Sequence, residues 1–150
     1  MRWNARIGDI TSDIKRILVG IDGSSNSTKA ASFAAAVAKR FDAKVTLLFV
    51  VTPSDHDMLA GKSTNMNEEK KGFGEQRLKM ADSIFTEIGV NFDTDIEFGH
   101  AAEKILMVSE RGYDLVVIGN RGLSAVRGFL MGSVSSQVSQ HSKVPVVVVP

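Results

Sequence analysis

Short apolar runs alternate along this chain with stretches in which apolar residues recur at helical spacing. Nearly unbroken apolar runs predict strands that are covered on both faces, and four such runs occur, at Ile17 to Ile21, Val45 to Val51, Leu115 to Ile118 and Val146 to Val149. A further strand is predicted at VNFDTDIEF, residues 90–98, because apolar and polar positions alternate there. One side of it carries Val90, Phe92, Thr94, Ile96 and Phe98.

Four helices are predicted between these strands. The first begins near Ser24, Ser25 and Ser27, which are good N-cap types, and its apolar positions are Ala30, Phe33, Ala34, Val37, Ala38 and Phe41. The second is indicated by Leu78, Ala81, Phe85 and Ile88, with Gly89 as its C-terminal stop. The third runs from Ala101 to near Gly112, and the fourth contains Val134 and Val138. The polar stretch from Ser54 to about Asn67 is expected to be a surface loop or a partly mobile insert.

The resulting order, β-α-β-α-β-α-β-α-β without internal repeats, predicts an α/β fold. Right-handed crossovers would join largely parallel strands, with helices on both faces of one sheet. Ligands of such sheets bind beyond the carboxyl ends of the strands, where the strand order reverses. Two segments compete for that place: Asp22-Gly23-Ser24 after the first strand, and the segment that begins at Gly119 after the fourth.

Composition narrows the functional classes. The length of 150 residues is typical of one domain. With 18 Lys and Arg against 17 Asp and Glu, no basic field favours nucleic acid or an anionic membrane as partner. The chain has no cysteine, which excludes disulfides and thiolate chemistry and fits a reducing compartment. No apolar run has the length of a signal peptide core or a membrane span, so we expect a cytoplasmic protein.

The segment IGNRGLSAVRGFLMGSVS, residues 118–135, has the chemistry of a polyphosphate site. Gly119 and Gly122 lack a Cβ, so the backbone could turn sharply and approach a ligand, and a side chain there or at Gly132 would block it. Backbone N–H groups at the start of the helix after Gly132 favour an anion. Hydroxyl donors and positive charge would come from Ser133, Ser135, Arg121 and Arg127. The plainer alternative is a flexible loop whose serines only cap a helix.

The spacing Gly119-x2-Gly122-x9-Gly132-Ser133 resembles the nucleotide-binding signature of the universal stress protein family, in its ATP-binding branch. The resemblance extends to further segments. These are ILVGIDGS at 17–24, KVTLLFVV at 44–51, GHAAEKI at 99–105, YDLVVIGNRG at 113–122 and LMGSVSSQVSQHSKVPVVVVP at 130–150. Together they cover most of residues 16–150.

This resemblance implies a three-layer α/β/α sandwich with strand order 3-2-1-4-5 over residues 16–150. Two features depart from the family's pattern: the N-terminal extension Met1 to Lys15 precedes the first strand, and the stretch after the second strand is unusually polar. It implies an ATP site, with Mg²⁺ held through the phosphates. The adenosine end would contact Asp22 with the backbone of Gly20, Ile21 and Val50. The ribose and first phosphates would contact Ile118, Gly119, Arg121 and Gly122, and the outer phosphates Gly132, Ser133, Val134 and Ser135.

Three functions compete for this chain. The favoured one is an ATP-binding regulatory or stress-response protein. The second is a slow ATP hydrolase or phosphotransfer enzyme, although Asp22 has no second carboxylate or activated nucleophile beside it. The third is a dimeric interaction module with a vestigial site, which the intact glycines disfavour. Other adenine nucleotides, including cyclic AMP, stay possible because they would share the adenosine contacts.

Several other motifs are interpreted as incidental. GKST at 61–64 lacks the first glycine of a P-loop, and GFG at 72–74 starts a GxGxxG pattern whose last position is Arg77. The three histidines are too far apart in sequence for a metal-ligand motif: His56, His100 and His141.

The two sheet edges predict the assembly. The third strand carries Asn91, Asp93, Asp95 and Glu97, which discourage pairing with another strand. The fifth strand, Val146 to Val149, has no charge, so it could pair with another strand. We expect a homodimer in which two copies of it pair antiparallel, because the family resemblance implies a dimer as well. The alternative is a monomer whose edge is covered by Met1 to Lys15.

Overall fold

The computed structural model describes residues 14–59, 65–122 and 131–150. Almost all of the N-terminal extension therefore lies outside the described residues, as do Arg127 and the GKST motif at 61–64. The extension's last residue, Lys15, is described, and its backbone N–H donates to Asp114 Oδ2 over 3.0 Å.

Five parallel strands form one sheet in the order β3-β2-β1-β4-β5, which confirms the predicted fold class and strand order. The strands are β1 (Arg16–Gly20), β2 (Lys44–Val51), β3 (Phe92–Phe98), β4 (Leu115–Gly119) and β5 (Val146–Val149). The helices are α1 (Ser25–Phe41), α2 (Pro53–Leu59), α3 (Met66–Ile88), α4 (Ala101–Ser109) and α5 (Ser133–His141). The order reverses at β1, where Val19 is in register with Leu47 of β2 and with Val117 of β4.

Helix α1 begins where the serines predicted it. Ser24 is its N-cap, and the Ser24 hydroxyl oxygen accepts the backbone N–H of Ser27 over 3.1 Å. The prediction for its buried face was partly wrong, because Phe33 is 41% exposed and alanines make the contact with the sheet. The buried alanines are Ala30, Ala31, Ala34, Ala35 and Ala38. Small side chains let the helix backbone lie close to the sheet.

The prediction of a loop from Ser54 to about Asn67 was wrong at both of its ends. Helix α2 starts at Pro53, because proline suits the first helical turn, where its missing N–H is not needed. Thr52 and Asp55 cap this turn reciprocally: the Thr52 N–H donates to Asp55 Oδ2 over 2.8 Å, and the Asp55 N–H to Thr52 Oγ1 over 3.3 Å. Helix α3 has already begun at Met66, with Asn65 as its N-cap.

The alternation predicted for the third strand holds only in part. In β3, Thr94 and Phe98 are exposed, whereas Asp95 and Glu97 on the other side are partly buried. An edge strand has one neighbour and an incomplete cover, so its burial depends on the helices nearby more than on a strict period of two.

Two apolar cores lie on opposite faces of the sheet. On one face, α1 and α3 pack on residues such as Val19 and Leu47, and on the other α4 and α5 pack on Leu18 and Val116. The chain leaves β1, β2 and β4 at the carboxyl edge of the sheet, and the candidate site lies at this edge.

Candidate functional site

A cavity of about 830 Å³ opens at the carboxyl ends of β1, β2 and β4. The structure brings all of the predicted site residues to its wall, although they come from four separate parts of the chain. They are Gly20, Ile21, Asp22, Val50, Ile118, Gly119, Arg121, Gly122, Gly132, Ser133, Val134 and Ser135. The cavity lies at the reversal of strand order, as expected for a sheet of this type.

Asp22 is the second residue after β1, and its carboxylate accepts a hydrogen bond from the backbone just after it. Its Oδ1 accepts the backbone N–H of Ser24 over 2.8 Å, a local turn that also positions the N-cap of α1. On the other side, a Cβ built on Gly122 would stand 2.5 Å from Asp22 Oδ2. The absence of a side chain at Gly122 therefore lets the segment after β4 lie against the Asp22 carboxylate.

Gly119 is a glycine for a different reason from the one predicted. A Cβ at this position would stand 2.9 Å from the carbonyl carbon of Asn26, in the first turn of α1. Its backbone is not in the left-handed region, so no sharp turn requires glycine here. Gly119 allows the end of β4 to approach the start of α1, because a side chain at this position would clash with Asn26.

The start of α5 is tied to the end of β4 through Asn120. The Asn120 carbonyl oxygen accepts the Gly132 N–H and the Ser135 hydroxyl, each over 2.8 Å. Because the Ser135 side chain is buried and its hydroxyl also lies 3.0 Å from the Gly132 carbonyl, it bonds to the backbone. This arrangement differs from the prediction that the Ser135 hydroxyl donates to phosphate. The other predicted hydroxyl donor, Ser133, is exposed.

The first turn of α5 presents backbone N–H groups at the cavity. Its N-cap is Gly132, which has no side chain to bond to them, and the first turn contains no acidic residue. These groups and the positive end of the helix dipole favour an anion. Arg121 also lines the cavity, while Arg127 lies outside the described residues.

Several polar residues of the cavity wall were missed by the sequence analysis. Thr52, His100 and Asn120 each come just after a strand, so the rule that selected Asp22 could have found them. The Asn120 Oδ1 atom is buried and has no hydrogen-bond partner within the described part of the chain. Arg77 comes from the middle of α3, and nothing in the local sequence connects it with the strand ends.

Neither a metal cluster nor a membrane-spanning helix is found over 14–59, 65–122 and 131–150. No group of three His, Cys, Asp or Glu side chains in these ranges is arranged to hold a metal ion. None of the helices there is both long and apolar enough to cross a membrane.

The family model, the related sequences and the similar structures all indicate the same family. The model of the universal stress protein family matches residues 13–150. A universal stress protein of Staphylococcus haemolyticus is 36% identical over 138 residues, which are 90% of this chain and 84% of the relative. UspA from Lactobacillus plantarum has the same fold, with a TM-score of 0.75 at 24% identity over 98% of this chain and 100% of that chain.

A universal stress protein crystallised in complex with cAMP is similar as well. Its TM-score is 0.71 at 26% identity, over 91% of this chain and 97% of that chain. The family match spans every segment on which the sequence resemblance was based, from the first strand to the fifth. This chain belongs to the universal stress protein family.

Proposed function

We propose that this chain binds one adenine nucleotide in the cavity at the carboxyl ends of its strands, and that this nucleotide is ATP with Mg²⁺. The protein would then act in the cytoplasm as a nucleotide-dependent regulator of a stress response. The observation that carries the proposal is the convergence of four distant chain segments, with every predicted contact residue, on one cavity of about 830 Å³. That volume is within the range of small-molecule sites.

The two ends of the cavity differ in a way that suits a nucleotide. Between β2 and α4 the wall is apolar, with Leu48, Val50 and Ile105, and such a wall fits the faces of a purine ring. At the other end, the first turn of α5 and Arg121 offer N–H donors and positive charge, which fit phosphate. An adenosine moiety near Asp22 would join the two ends.

The similar protein that was crystallised with cAMP supports an adenine nucleotide as the class of ligand. The choice of ATP rests on the glycine and serine spacing from Gly119 to Ser133 and on the sequence resemblance. Mg²⁺ would be held through the phosphates, because it keeps several of its waters and needs no dedicated protein cage. The described residues accordingly contain no cluster of three side chains that could hold a metal ion.

A regulatory function is favoured over hydrolysis by the arrangement of the acidic side chains in the wall. Asp22 accepts the Ser24 N–H, and Asp55 Oδ2 accepts both the N–H and the hydroxyl of Thr52. Both carboxylates thus have structural roles, and neither is placed beside an activated nucleophile. We expect negligible turnover of ATP, well below the rate of about 1 per second that is ordinary for enzymes.

Titration calorimetry of the purified chain with ATP and Mg²⁺ tests the proposal, and we expect one site per chain. Titrations with AMP and cAMP, and mass spectrometry of any nucleotide released on denaturation, identify the preferred ligand. Tighter binding of cAMP than of ATP would correct the ligand and keep the site. Absence of binding by every adenine nucleotide would contradict the proposal and favour an interaction module with a vestigial site.

We also propose a homodimer through β5. This strand is the last in the sheet order, and each of its residues from Val146 to Val149 is only partly buried in the single chain. Antiparallel pairing of two copies would bond the outward N–H and C=O groups and join two sheets.

A further inference from the structure

The incidental glycine motif GFGEQR, residues 72–77, lies in the middle of α3 and packs against the sheet. Gly74 is buried, and a Cβ on it would stand 2.8 Å from Cδ1 of Ile96 in β3. Helix α3 therefore approaches β3 closely at this turn, near the carboxyl end of the strand. This close contact fixes the position of the next helical turn relative to the candidate site.

An aromatic stack continues from the sheet to that next turn. The ring of Phe73 packs edge-on against Phe49 of β2, with ring centroids 5.7 Å apart and an interplanar angle of 70°. The guanidinium carbon of Arg77, one helical turn further along, lies 5.1 Å from the Phe73 ring centroid. A guanidinium on an aromatic ring is attracted by the ring and restricted in orientation.

This stack places the Arg77 side chain beside Gly23, the residue that follows Asp22. Its Nη1 lies 2.9 Å, and its Cδ 3.0 Å, from the point where a Cβ on Gly23 would stand. Gly23 has φ +86°, a backbone conformation that glycine adopts without strain. Gly23 thus leaves the space that the arginine occupies, and Arg77 lines the cavity from the side of α3.

No carboxylate in the described part of the chain forms an ion pair with the Arg77 guanidinium, which lies over the Phe73 ring. A partly buried guanidinium at a cavity wall is suited to bind an anion, because its planar N–H fork matches phosphate oxygens. Arg121 and the first turn of α5 line the same cavity from the other face of the sheet.

We propose that Arg77 is a specificity-determining residue that contacts a phosphate group of the bound nucleotide, so that the cavity discriminates phosphorylated adenosine from adenosine itself. This inference rests on the proposed function of the site. It adds a contact from α3, a helix that contributes none of the residues predicted from the glycine signature.

The test is Arg77→Gln in the full chain, titrated with ATP, AMP and adenosine. The matched control is Lys71→Gln, which removes the same charge from an exposed position of α3 that does not line the cavity. We expect Arg77→Gln to weaken ATP binding by about 10- to 100-fold, the effect of losing a hydrogen bond to a charged group. Adenosine binding should stay within about twofold, and Lys71→Gln should bind all three ligands like the wild type.

The AMP titration identifies the phosphate: weaker AMP binding indicates the first phosphate, and unchanged AMP binding an outer one. Arg77→Lys, which keeps the charge without the planar fork, should recover part of the ATP affinity. Equal losses for ATP and adenosine would overturn the inference, because they would show that Arg77 only supports the fold. Unchanged ATP binding in Arg77→Gln would overturn it too, whereas a wild-type chain that binds no nucleotide would contradict the proposed function itself.

Discussion

Replacing Gly119 and Gly122 in turn by alanine should separate the stability of the fold from the integrity of the site. A Cβ on Gly119 would stand 2.9 Å from the carbonyl carbon of Asn26 and 3.0 Å from its carbonyl oxygen. A Cβ on Gly122 would stand 2.5 Å from Asp22 Oδ2, a side-chain atom. A backbone neighbour cannot turn away, whereas a carboxylate can rotate.

The geometry gives the magnitudes. At Gly119 the new carbon is about 0.5 Å inside the 3.4 Å at which ordinary van der Waals contact begins, so β4 and α1 must separate. Overpacking of this kind lowers the free energy of unfolding by about 1–3 kcal/mol, which corresponds to a thermal unfolding midpoint lowered by about 2–12 °C. At Gly122, rotation of Asp22 would break its hydrogen bond to the Ser24 N–H, a loss of about 0.5–1.5 kcal/mol.

Binding should show a different order of effects. In Gly122→Ala the Asp22 carboxylate leaves its place at the adenosine end of the cavity, so ATP should bind about tenfold or more weakly although the fold is retained. The assays are urea denaturation followed by circular dichroism, and calorimetric titration at a temperature where each variant is folded. Gly72→Ala is the control, since a Cβ there meets nothing within 4 Å and should stabilise the exposed helix by about 0.5–1 kcal/mol.

Two results would refute this reasoning. If Gly119→Ala were as stable as the wild type, β4 would not depend on close contact with Asn26. If Gly122→Ala bound ATP normally, the position of the Asp22 carboxylate beside Gly122 would not matter for the ligand.

Three further predictions concern the N-cap of α1, Asp93 in β3 and the edge strand β5. Ser24→Ala should cost about 1 kcal/mol of unfolding free energy in urea denaturation, since the N-cap acceptor for α1 is lost. Burial opposes ionisation of Asp93, but hydrogen bonds from Thr46 and Lys44 outweigh it and hold its pKa below the ordinary 3.8. Asp93→Asn should therefore be less stable than the wild type at pH 7, and urea titrations at falling pH should show this gap closing as the pH drops below 3.8 through the lowered native pKa; a constant gap would contradict the role of its charge. Val148→Pro should shift the mass measured by light scattering from twice the 16.2 kDa chain mass towards monomer, because it removes an N–H on the free edge of β5. The Pro145 and Val149 carbonyls bond to Val116 and Asn120, so alternate residues of β5 face β4 and Val148 faces outward. A wild-type monomer would contradict the proposed dimer.

The α/β fold class was predictable because it depends on patterns that span the whole chain, whereas the strand order 3-2-1-4-5 was implied by the resemblance to the universal stress protein family. Buried strands read as apolar runs whatever their neighbours are, and a single order of such runs and helices leaves few topologies. Asp22 and Gly119 could be placed side by side because carboxyl ends of adjacent parallel strands meet at one edge.

The details that escaped prediction depend on contacts between distant segments. Phe33 has a helical position as good as that of its alanine neighbours, but only the distance from α1 to the sheet decides which of them is buried. Gly119 is required by Asn26, and Ser135 is turned to the Asn120 carbonyl, so their local sequence indicates the residue type without its partner.

The residues around α2 show a second kind of limit. Pro53 and Asp55 are common in loops as well as in first helical turns, and the polar composition favoured the loop. The reciprocal hydrogen bonds between Thr52 and Asp55 stabilise the first turn of the helix. Arg77 was hidden in a similar way, since its distance from Gly23 follows from the packing of α3 at Gly74.

The link between Asn120 and β5 has a consequence for the order in which the protein becomes competent during synthesis. The Asn120 N–H donates to the Val149 carbonyl over 2.7 Å, and the Asn120 carbonyl anchors the start of α5. A ribosome therefore makes Asp22 and Gly20 early, but the opposite wall of their cavity exists only once residues 133–149 have emerged and docked. A ligand that needs both walls can stabilise only the finished domain, by about 2.7 kcal/mol at a hundred times its dissociation constant. Nucleotide present during translation would then select completed molecules and leave truncated ones to proteolysis.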